Sequence, residues 1–375
     1  MRRLLPGLVA AALLGAVAAT PAWAEGVVRH AGSASAVPGS YVVKVRDAGA
    51  ARALSARFAG VEHVYTGAFH GFSVRLSDRA ARRLAAHPDV EYVEQDQYVT
   101  ASPVTQPDAP WGPDRIDQRG LPLNGTYRYT STGDRTTVYV IDTGIRITHE
   151  EFGGRAFYAW DAVDHDTTAP DENGHGTHVA GVIAGKVHGA AKGARVGAVR
   201  VLDPRGSGTI STVIAGVDWV TRNAAKPAVA NFSLGGAQST ALDNAVRGLI
   251  ASGVGVSAAA GSSGSGTVNT SPARVGEALV AGSSTQTDAR ASFSNYGTGV
   301  DLFAPGVGIT AAWHTSDTAT NTLSGTSVST GFVSGVAARY LQFNPTASPA
   351  QVHAELVREA TPLSWGRLLY WSPDR

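Results

Sequence analysis

The sequence predicts an α/β protein whose main body is a mainly parallel sheet with helices on both faces. Three observations support this fold class. After residue 135, short apolar segments alternate with longer segments of helical periodicity, which is the pattern of successive βαβ units. Glycine is abundant, with 44 residues, as expected where many tight turns connect such units. A shorter run of strands and helices precedes this alternation and predicts a small α+β domain at the amino end.

The amino terminus has the pattern of a secretory signal peptide. Two arginines near the start precede an apolar stretch from Leu8 to Ala19, which is too short to span a bilayer. The three residues that end at Ala24 read Ala-Trp-Ala, which matches the small-x-small cleavage pattern. We expect residues 1–24 to be removed and the protein to be secreted. Because no longer apolar segment follows, we expect no membrane anchor.

The composition fits a globular protein and excludes an electrostatic case for nucleic-acid binding. Lysine and arginine total 31 and aspartate and glutamate total 30, so the net charge is +1. The chain has no cysteine and its one methionine is Met1, so the mature protein should contain no sulfur. With 43% hydrophobic residues, a large core can form without disulfides. We expect a monomer.

Residues 25–101 are predicted to contain a linker and then the small α+β domain. Small polar residues occupy 25–38 and suit a linker. Strands are predicted at 40–45, 71–77 and 90–97. Helices are predicted between these strands, and Asp78 is expected to cap the second of them, which should end near Pro88. The proline-rich stretch 100–113 then suits an exposed connector.

Residues 102–375 are predicted to form the main α/β domain. Its predicted strands lie at 136–141, 194–202, 228–234, 253–261 and 276–284. Its predicted helices lie at 178–187, 211–225, 240–253, 333–343 and 348–360, the last of them starting at Ser348. In a parallel sheet covered on both faces, functional groups collect beyond the carboxyl ends of the strands.

Three side chains at predicted element ends form a nucleophilic catalytic set. Asp142 ends an apolar strand in VYVIDTG, His175 stands at a helix start in DENGHGTHVAG, and Ser327 precedes an apolar helix in SGTSVSTG. Serine becomes a nucleophile when an imidazole takes its proton, and a buried carboxylate fixes the tautomer of that imidazole. Backbone N–H groups at a helix start can hold the developing oxyanion. Each residue alone also fits a turn, a structural histidine or a helix cap, so the interpretation depends on all three.

His178 lies three residues after His175, and two such histidines could bind a metal ion together with a third ligand. The chain has no HExxH sequence and no obvious third ligand. We therefore interpret His178 as a structural histidine and predict that the chemistry requires no cofactor.

With these motifs the chain resembles the subtilisin-like serine proteases, close to the proteinase K branch. The resemblance covers about residues 40–370 and is carried by VIDTGI, NGHGTHVAG, GSGTISTVIAGVDWV, SLGG, SFSNYG, DLFAPG and SGTS. It implies a subtilisin-like fold and a serine endopeptidase that hydrolyses polypeptides through an acyl-enzyme on Ser327. In that reaction Asp142 orients the imidazole, and His175 acts as general base and then as general acid.

The resemblance also implies substrate-binding residues and a broad specificity that favours apolar side chains. Two strands would hold the substrate backbone in extended form, and small residues would floor the first specificity pocket. These residues are Gly206, Ser207, Gly208, Ser233, Leu234, Gly235, Ala259, Ala260 and Gly261.

Residues 40–98 resemble the inhibitor-type propeptide of this family. Such a segment assists folding, occupies the cleft as an intramolecular inhibitor and is then removed, so the protein is expected to be a zymogen. The cut is expected in the connector between Val99 and Thr105. The alternative is a permanent small domain.

One position of the oxyanion hole departs from the family pattern. Ser262 stands where the family has the asparagine of the oxyanion hole, the other donor being Ser327, and a hydroxyl has a shorter reach than a carboxamide. This substitution keeps two alternatives open: a slow or specialised processing peptidase or cyclase, and a pseudo-protease that only binds peptides.

Asp301 matches a family calcium carboxylate, with carbonyls near Gly276 and Ala278. The resemblance therefore implies a structural calcium ion, and the alternative is that Asp301 is a turn residue.

Overall fold

The computed structural model describes residues 25–33, 35–99 and 103–374, which divide into two compact units on either side of the Val99–Thr100 bond. The predicted signal peptide and part of the predicted cleavage region lie outside the described residues. Within the described ranges, no helix has both the length and the apolar character needed to cross a membrane.

The first unit is a five-stranded sheet with two helices. Its strands are β1 (Val28–Arg29), β2 (Ala36–Val45), β3 (Val61–Tyr65), β4 (Gly71–Arg75) and β5 (Val90–Gln97), in the order β1-β5-β2-β4-β3. Its helices are α1 (Ala48–Ser55) and α2 (Asp78–Ala85). The cap of α2 is Ser77, whose hydroxyl accepts from the N–H of Ala80, so Asp78 is the first helical residue and the predicted cap was one position late. Alternate residues of β2, such as Val43 and Val45, are fully buried against the helices.

The second unit contains the larger sheet and most of the helices. Its strands are β6 (Val104–Gln106), β7 (Tyr127–Tyr129), β8 (Thr137–Asp142), β9 (Ala156–Asp161), β10 (Arg195–Arg200), β11 (Ala228–Phe232), β12 (Gly236–Ala237), β13 (Gly255–Ala259), β14 (Thr270–Ser271), β15 (Leu279–Ser284), β16 (Leu302–Pro305), β17 (Ile309–Ala312), β18 (Thr320–Leu323), β19 (Thr361–Leu363) and β20 (Gly366–Leu368). Its helices are α3 (Trp111–Ile116), α4 (His175–Ala184), α5 (Ile210–Asn223), α6 (Thr240–Ala251), α7 (Thr326–Phe343) and α8 (Pro349–Glu359).

Nine strands form the central sheet in the order β19-β20-β16-β15-β13-β11-β8-β10-β9. All neighbours from β20 to β9 are parallel, and only the β19–β20 pair is antiparallel, so the predicted mainly parallel sheet is confirmed. The interior strand β8 is buried on both faces, which explains its apolar sequence. Val138 and Val140 pack with α4 and α7, whereas Tyr139 and Ile141 pack with α5 and α6.

Helix α7 starts earlier than the sequence predicts. The prediction began at residue 333, but the small polar residues from Thr326 onward are already helical and mostly buried. Their hydroxyls are satisfied inside the fold, as for Thr330, which donates to the carbonyl oxygen of Thr326. Serine and threonine disfavour a helix because their side chains can hydrogen-bond to nearby backbone groups in non-helical conformations. Here the burial of these residues against the rest of the fold outweighs that preference.

Phe332 gives a test of how much this buried helix depends on packing. The side chain is fully buried, so we expect Phe332→Ala to lower the free energy of unfolding by about 3–5 kcal/mol. Phe343, the last residue of the same helix, is 61% exposed, and Phe343→Ala is the matched control with an expected change of about 0.5 kcal/mol or less. Urea-induced unfolding measured by circular dichroism would distinguish them, and equal losses would contradict this account of the core.

Candidate functional site

Asp142 and His175 form a short hydrogen bond at the carboxyl edge of the sheet. Asp142 is the last residue of β8 and His175 is the first residue of α4. The Oδ1 atom of Asp142 lies 2.7 Å from Nδ1 of His175 and also accepts from the N–H of Thr143 at 2.8 Å. The carboxylate is fully buried, while the imidazole is 27% exposed. This contact fixes Nδ1 as the protonated nitrogen and leaves Nε2 as the base.

The environment of His175 favours its protonated form. Burial lowers the pKa of His175, but the charge of Asp142, its hydrogen bond and the charge of Asp171 raise it by more. The pKa therefore lies above its ordinary value of 6.5. An imidazole held in this way is a stronger base than a free one and carries a stabilised positive charge once it has taken a proton.

Asp171 holds the segment that delivers His175 to Asp142. Its carboxylate accepts five hydrogen bonds, from the hydroxyl and N–H of Thr177, the hydroxyl of Thr143, and the N–H groups of Asn173 and Gly174. It thereby ties the end of β8 to the start of α4. Gly176 follows His175 in the chain. A Cβ atom at Gly176 would lie 2.2 Å from the carbonyl oxygen of Gly144, so the close approach of the two backbone segments requires a glycine here.

Ser327 is the second residue of α7 and lines the same cleft as His175. Its hydroxyl donates to the carbonyl oxygen of Ser233 at 2.8 Å, and the hydroxyl of Ser233 donates back to the carbonyl oxygen of Ser327 at 2.7 Å. Among the described residues, no hydrogen bond joins Ser327 to His175. The structure thus places His175 and Ser327 in one cleft, with Asp142 buried behind the imidazole and the serine hydroxyl turned towards Ser233, the residue after β11.

Ser262 lies beside the amino end of α7. Its Oγ accepts from the N–H of Thr326 at 3.2 Å and lies 3.2 Å from the hydroxyl oxygen of Thr326, which in turn accepts from the N–H of Gly261 at 3.1 Å. The Ser262 hydroxyl is therefore held next to the first residues of α7.

The cleft has a volume of about 970 Å³, and most of the predicted substrate-binding residues line it. They are Gly206, Ser207, Gly208, Ser233, Leu234, Gly235, Ala259 and Gly261. Ala260 is the exception: its side chain is fully buried with Ala273 and Val280, because alternate residues at the end of β13 point to opposite faces.

His178 occupies a structural position. It is fully buried, and its Nε2 lies 3.1 Å from the carbonyl oxygen of Ile309. Burial lowers the pKa of His178 to about 4, so the ring is neutral. Across the described ranges, no group of three or more histidine, cysteine, aspartate or glutamate side chains could hold a metal ion.

The residues predicted for calcium do not fit that ion. The carboxylate of Asp301 accepts from the N–H of Val280 at 2.8 Å through Oδ2, and Nε2 of His353 lies 3.2 Å from Oδ1. Both oxygens are thus engaged, and the carbonyls of Gly276 and Ala278 alone cannot supply the six to eight oxygens that calcium takes. The hydrogen bond to Asp301 raises the pKa of His353, so the carboxylate favours the protonated imidazole in this contact between α8 and the residue before β16.

Three residues that contact the site escaped prediction although they stand inside the quoted motifs. They are Asp171 in DENGHG, Asn295 in SFSNYG and Thr326 in SGTS. Asn295 also lines the cleft and binds the segment around Ser262. Their position in the motifs was visible in the sequence, but their contacts depend on segments far along the chain.

Two family models match the chain. Residues 133–369 match the peptidase S8 model, described as the subtilase family, and residues 29–102 match the peptidase inhibitor I9 model. The two matches correspond to the larger and the smaller unit of the structure.

Individual proteins and a solved structure are also similar. An extracellular serine proteinase from Thermus sp. is 53% identical over 87% of this chain and 79% of its own length. An alkaline serine exoprotease A from Vibrio alginolyticus is 50% identical over 80% of this chain, which spans 57% of that protein. A crystal structure of a cold adapted subtilisin-like serine proteinase has a TM-score of 0.69 and 52% identity, covering 70% of this chain and 98% of that one.

The hydrogen bond between Asp142 and His175 predicts a measurable pKa difference. We expect Asp142→Asn to lower the pKa of His175, because it removes the negative charge that stabilises the imidazolium. NMR titration of the imidazole in a Ser327→Ala background measures this pKa. Asp301→Asn is the control, since it should lower the pKa of His353 and leave that of His175 unchanged. Equal His175 pKa values with and without the Asp142 carboxylate would contradict the assignment.

Proposed function

The chain belongs to the subtilase family and is a subtilisin-like serine endopeptidase with an I9 propeptide; we propose that it is secreted and that it cleaves peptide bonds through an acyl-enzyme on Ser327. The observation that carries this assignment is the 2.7 Å contact between a fully buried Asp142 carboxylate and His175 in the cleft that Ser327 lines. A buried carboxylate beside an accessible imidazole is the arrangement that activates a serine.

The proposed first step forms the acyl-enzyme. The Ser327 hydroxyl leaves the carbonyl oxygen of Ser233 and gives its proton to Nε2 of His175 while Oγ attacks the peptide carbonyl carbon. The carbonyl π electrons move to oxygen, and the intermediate collapses as the C–N bond breaks and the amine takes the proton from His175.

In the proposed second step, water attacks the ester carbon and gives one proton to His175. The C–O bond to Ser327 then breaks, Ser327 Oγ takes that proton back from His175, and the carboxylic acid is released.

Two donors are proposed for the oxyanion, the N–H of Ser327 and the hydroxyl of Ser262. The first is a backbone group in the first turn of α7, where N–H groups have no intrahelical acceptor. The second is supported by the contact of Ser262 with Thr326, which keeps Oγ beside that turn. The Thr326 hydroxyl accepts the N–H of Gly261, and when it donates its own proton to Ser262 Oγ, the Ser262 proton is available to a substrate oxygen.

The proposed substrates are polypeptides bound in extended form. Residues 206–208 and 233–235 would pair with the substrate backbone, which gives affinity with little sequence preference. The small side chain of Ala259 and the absence of one at Gly261 would admit a bulky apolar side chain next to the scissile bond.

The I9 unit is proposed to assist folding and to inhibit the enzyme until it is removed. The match to residues 29–102 supports this role, and we propose that the cut falls between Val99 and Thr105, after which residues 102–375 or nearly so form the mature enzyme. Export is proposed from the signal pattern of residues 1–24 and is supported by the extracellular name of the Thermus relative.

A second candidate is a slow or specialised processing enzyme with the same three residues. Two observations favour it: Ser262 replaces an asparagine of longer reach, and the resting hydroxyl of Ser327 is bound to Ser233 rather than to His175. A pseudo-protease would share the cleft but would have a serine that no reagent can acylate or phosphonylate.

The first test is hydrolysis with a matched inactive variant. Purified mature protein should cleave casein and a peptide with Phe or Leu before the scissile bond, and Ser327→Ala should lose this activity. Because only neutral His175 accepts a proton, kcat/KM should rise with pH through a pKa above 6.5. A peptidyl phosphonate should label Ser327, as shown by mass spectrometry. No labelling, or a flat pH profile from 5 to 9, would contradict the mechanism.

The strength of the oxyanion site can be tested by lengthening its donor. We expect Ser262→Asn to raise kcat by about tenfold or more, because a carboxamide reaches further into the cleft. Ser263→Asn is the control at the next residue and should not raise kcat. If Ser262→Asn leaves kcat unchanged, a different group supplies the second hydrogen bond.

The misfit at Asp301 predicts that calcium is not required there. A calcium ion at 100 times its Kd would stabilise the fold by about 2.7 kcal/mol, so its removal would lower the melting temperature measurably. We expect excess EDTA to leave the melting temperature of the mature enzyme unchanged. A decrease that calcium reverses, and that Asp301→Asn abolishes, would show that the carboxylate binds calcium after all.

A further inference from the structure

The side chain of Asn295 hydrogen-bonds to the chain on both sides of Ser262. Its Nδ2 donates to the carbonyl oxygen of Ala260 at 2.8 Å, before Ser262. Its Oδ1 accepts from the N–H groups of Ser263 at 3.2 Å and Ser265 at 2.9 Å, after Ser262. The side chain is thereby placed across the loop 260–265, with Ser262 near its middle.

The orientation of this amide is determined by its partners. A carbonyl oxygen on one side requires a donor, and two backbone N–H groups on the other require an acceptor, so only one placement of Oδ1 and Nδ2 satisfies them. The hydroxyls of Ser263 and Ser265 also lie 3.0 and 3.3 Å from Oδ1. Asn295 itself is 1% exposed, and losing its side chain would leave the carbonyl oxygen of the fully buried Ala260 without this donor.

The backbone around this contact is adapted to it. Gly261 has a φ of +99°, and a Cβ atom there would lie 2.4 Å from Nδ2 of Asn295. The N–H of Asn295 also donates to the carbonyl oxygen of Gly261 at 2.9 Å. Side chain and backbone of one residue therefore hold the loop, whereas Ser262 itself is exposed and contacts only Thr326 among the described hydrogen-bond partners.

We propose that Asn295 is a positioning residue that holds the loop 260–265 so that the hydroxyl of Ser262 faces the oxyanion. This inference rests on the proposed role of Ser262 as an oxyanion donor. Because the hydroxyl is short, its contribution depends on a displacement of well under 1 Å, which a longer side chain would tolerate better. The effect of Asn295 on the reaction then passes through Ser262.

A double-mutant cycle separates this role from a general effect on stability. Ser262→Ala and Asn295→Ala should each lower kcat by about tenfold, with little change in KM, because the oxyanion forms only in the transition state. When Ser262 is already alanine, Asn295→Ala should cost no more than about twofold in kcat. The Ki of a peptide aldehyde, which forms a tetrahedral adduct, should rise in parallel with the loss of kcat.

Ser294→Ala is the matched structural control. Ser294 is a buried neighbour that accepts from the N–H of Ser283 and donates to the carbonyl oxygen of Asn295 without contacting the loop 260–265. It should lower the melting temperature and leave kcat nearly unchanged. Asn295→Asp keeps the acceptor oxygens and serves in the same cycle if Asn295→Ala does not fold.

Two results would overturn the proposal in distinguishable ways. If the losses of Ser262→Ala and Asn295→Ala multiply in the double variant, Asn295 acts independently of Ser262 and its role is structural. If Ser262→Ala leaves kcat unchanged, the oxyanion assignment under the proposed function fails and the inference fails with it.

Discussion

The contact between the Asp142 carboxylate and the His175 imidazole is the interaction on which the site depends. It joins the end of the interior strand β8 to the first residue of α4, and it places a carboxylate in the interior. A buried carboxylate without a positively charged or donating partner would be costly, so the imidazole and the Thr143 N–H stabilise the fold. The five hydrogen bonds to Asp171 keep the two elements in this register.

Hydroxyl groups connect α7, the helix that carries Ser327, to the sheet. Ser327 and Ser233 exchange two hydrogen bonds, and Ser233 also accepts from the side chain of Asn231 at 2.9 Å. Deeper in α7, Ser334 donates to Asn231 at 2.8 Å, and Ser329 donates to the carbonyl oxygen of Ala304 at 3.0 Å. In a chain without cysteine, these hydrogen-bonded hydroxyls give α7 a defined rotation against the strands.

Much of the fold and the location of the site could be predicted because they follow from local patterns. The alternation of apolar strands and helices predicted the parallel sheet, and the apolar run in VYVIDTG predicted that Asp142 ends a strand. The start of α7 was missed because its small polar residues resemble a loop until their burial is known. Ala260 was misassigned to the pocket because residue type alone does not show which face of the strand end it occupies.

Long-range side-chain contacts could not be predicted from one sequence. The orientation of the Ser327 hydroxyl depends on its hydrogen bond to Ser233. One carboxylate oxygen of Asp301 is engaged by His353 in the last helix. The same holds for Asn295, whose partners lie on a loop that follows another strand. The motifs marked several of these residues, but only the fold brings their partners within hydrogen-bond distance.

The decisive experiment is a crystal structure of the mature enzyme after reaction with a peptidyl phosphonate. We expect a covalent bond from Ser327 Oγ to phosphorus, one phosphonyl oxygen facing the N–H of Ser327 and the hydroxyl of Ser262, and His175 still hydrogen-bonded to Asp142. A phosphonate attached elsewhere, or an imidazole that has left Asp142 and the adduct, would contradict this expectation.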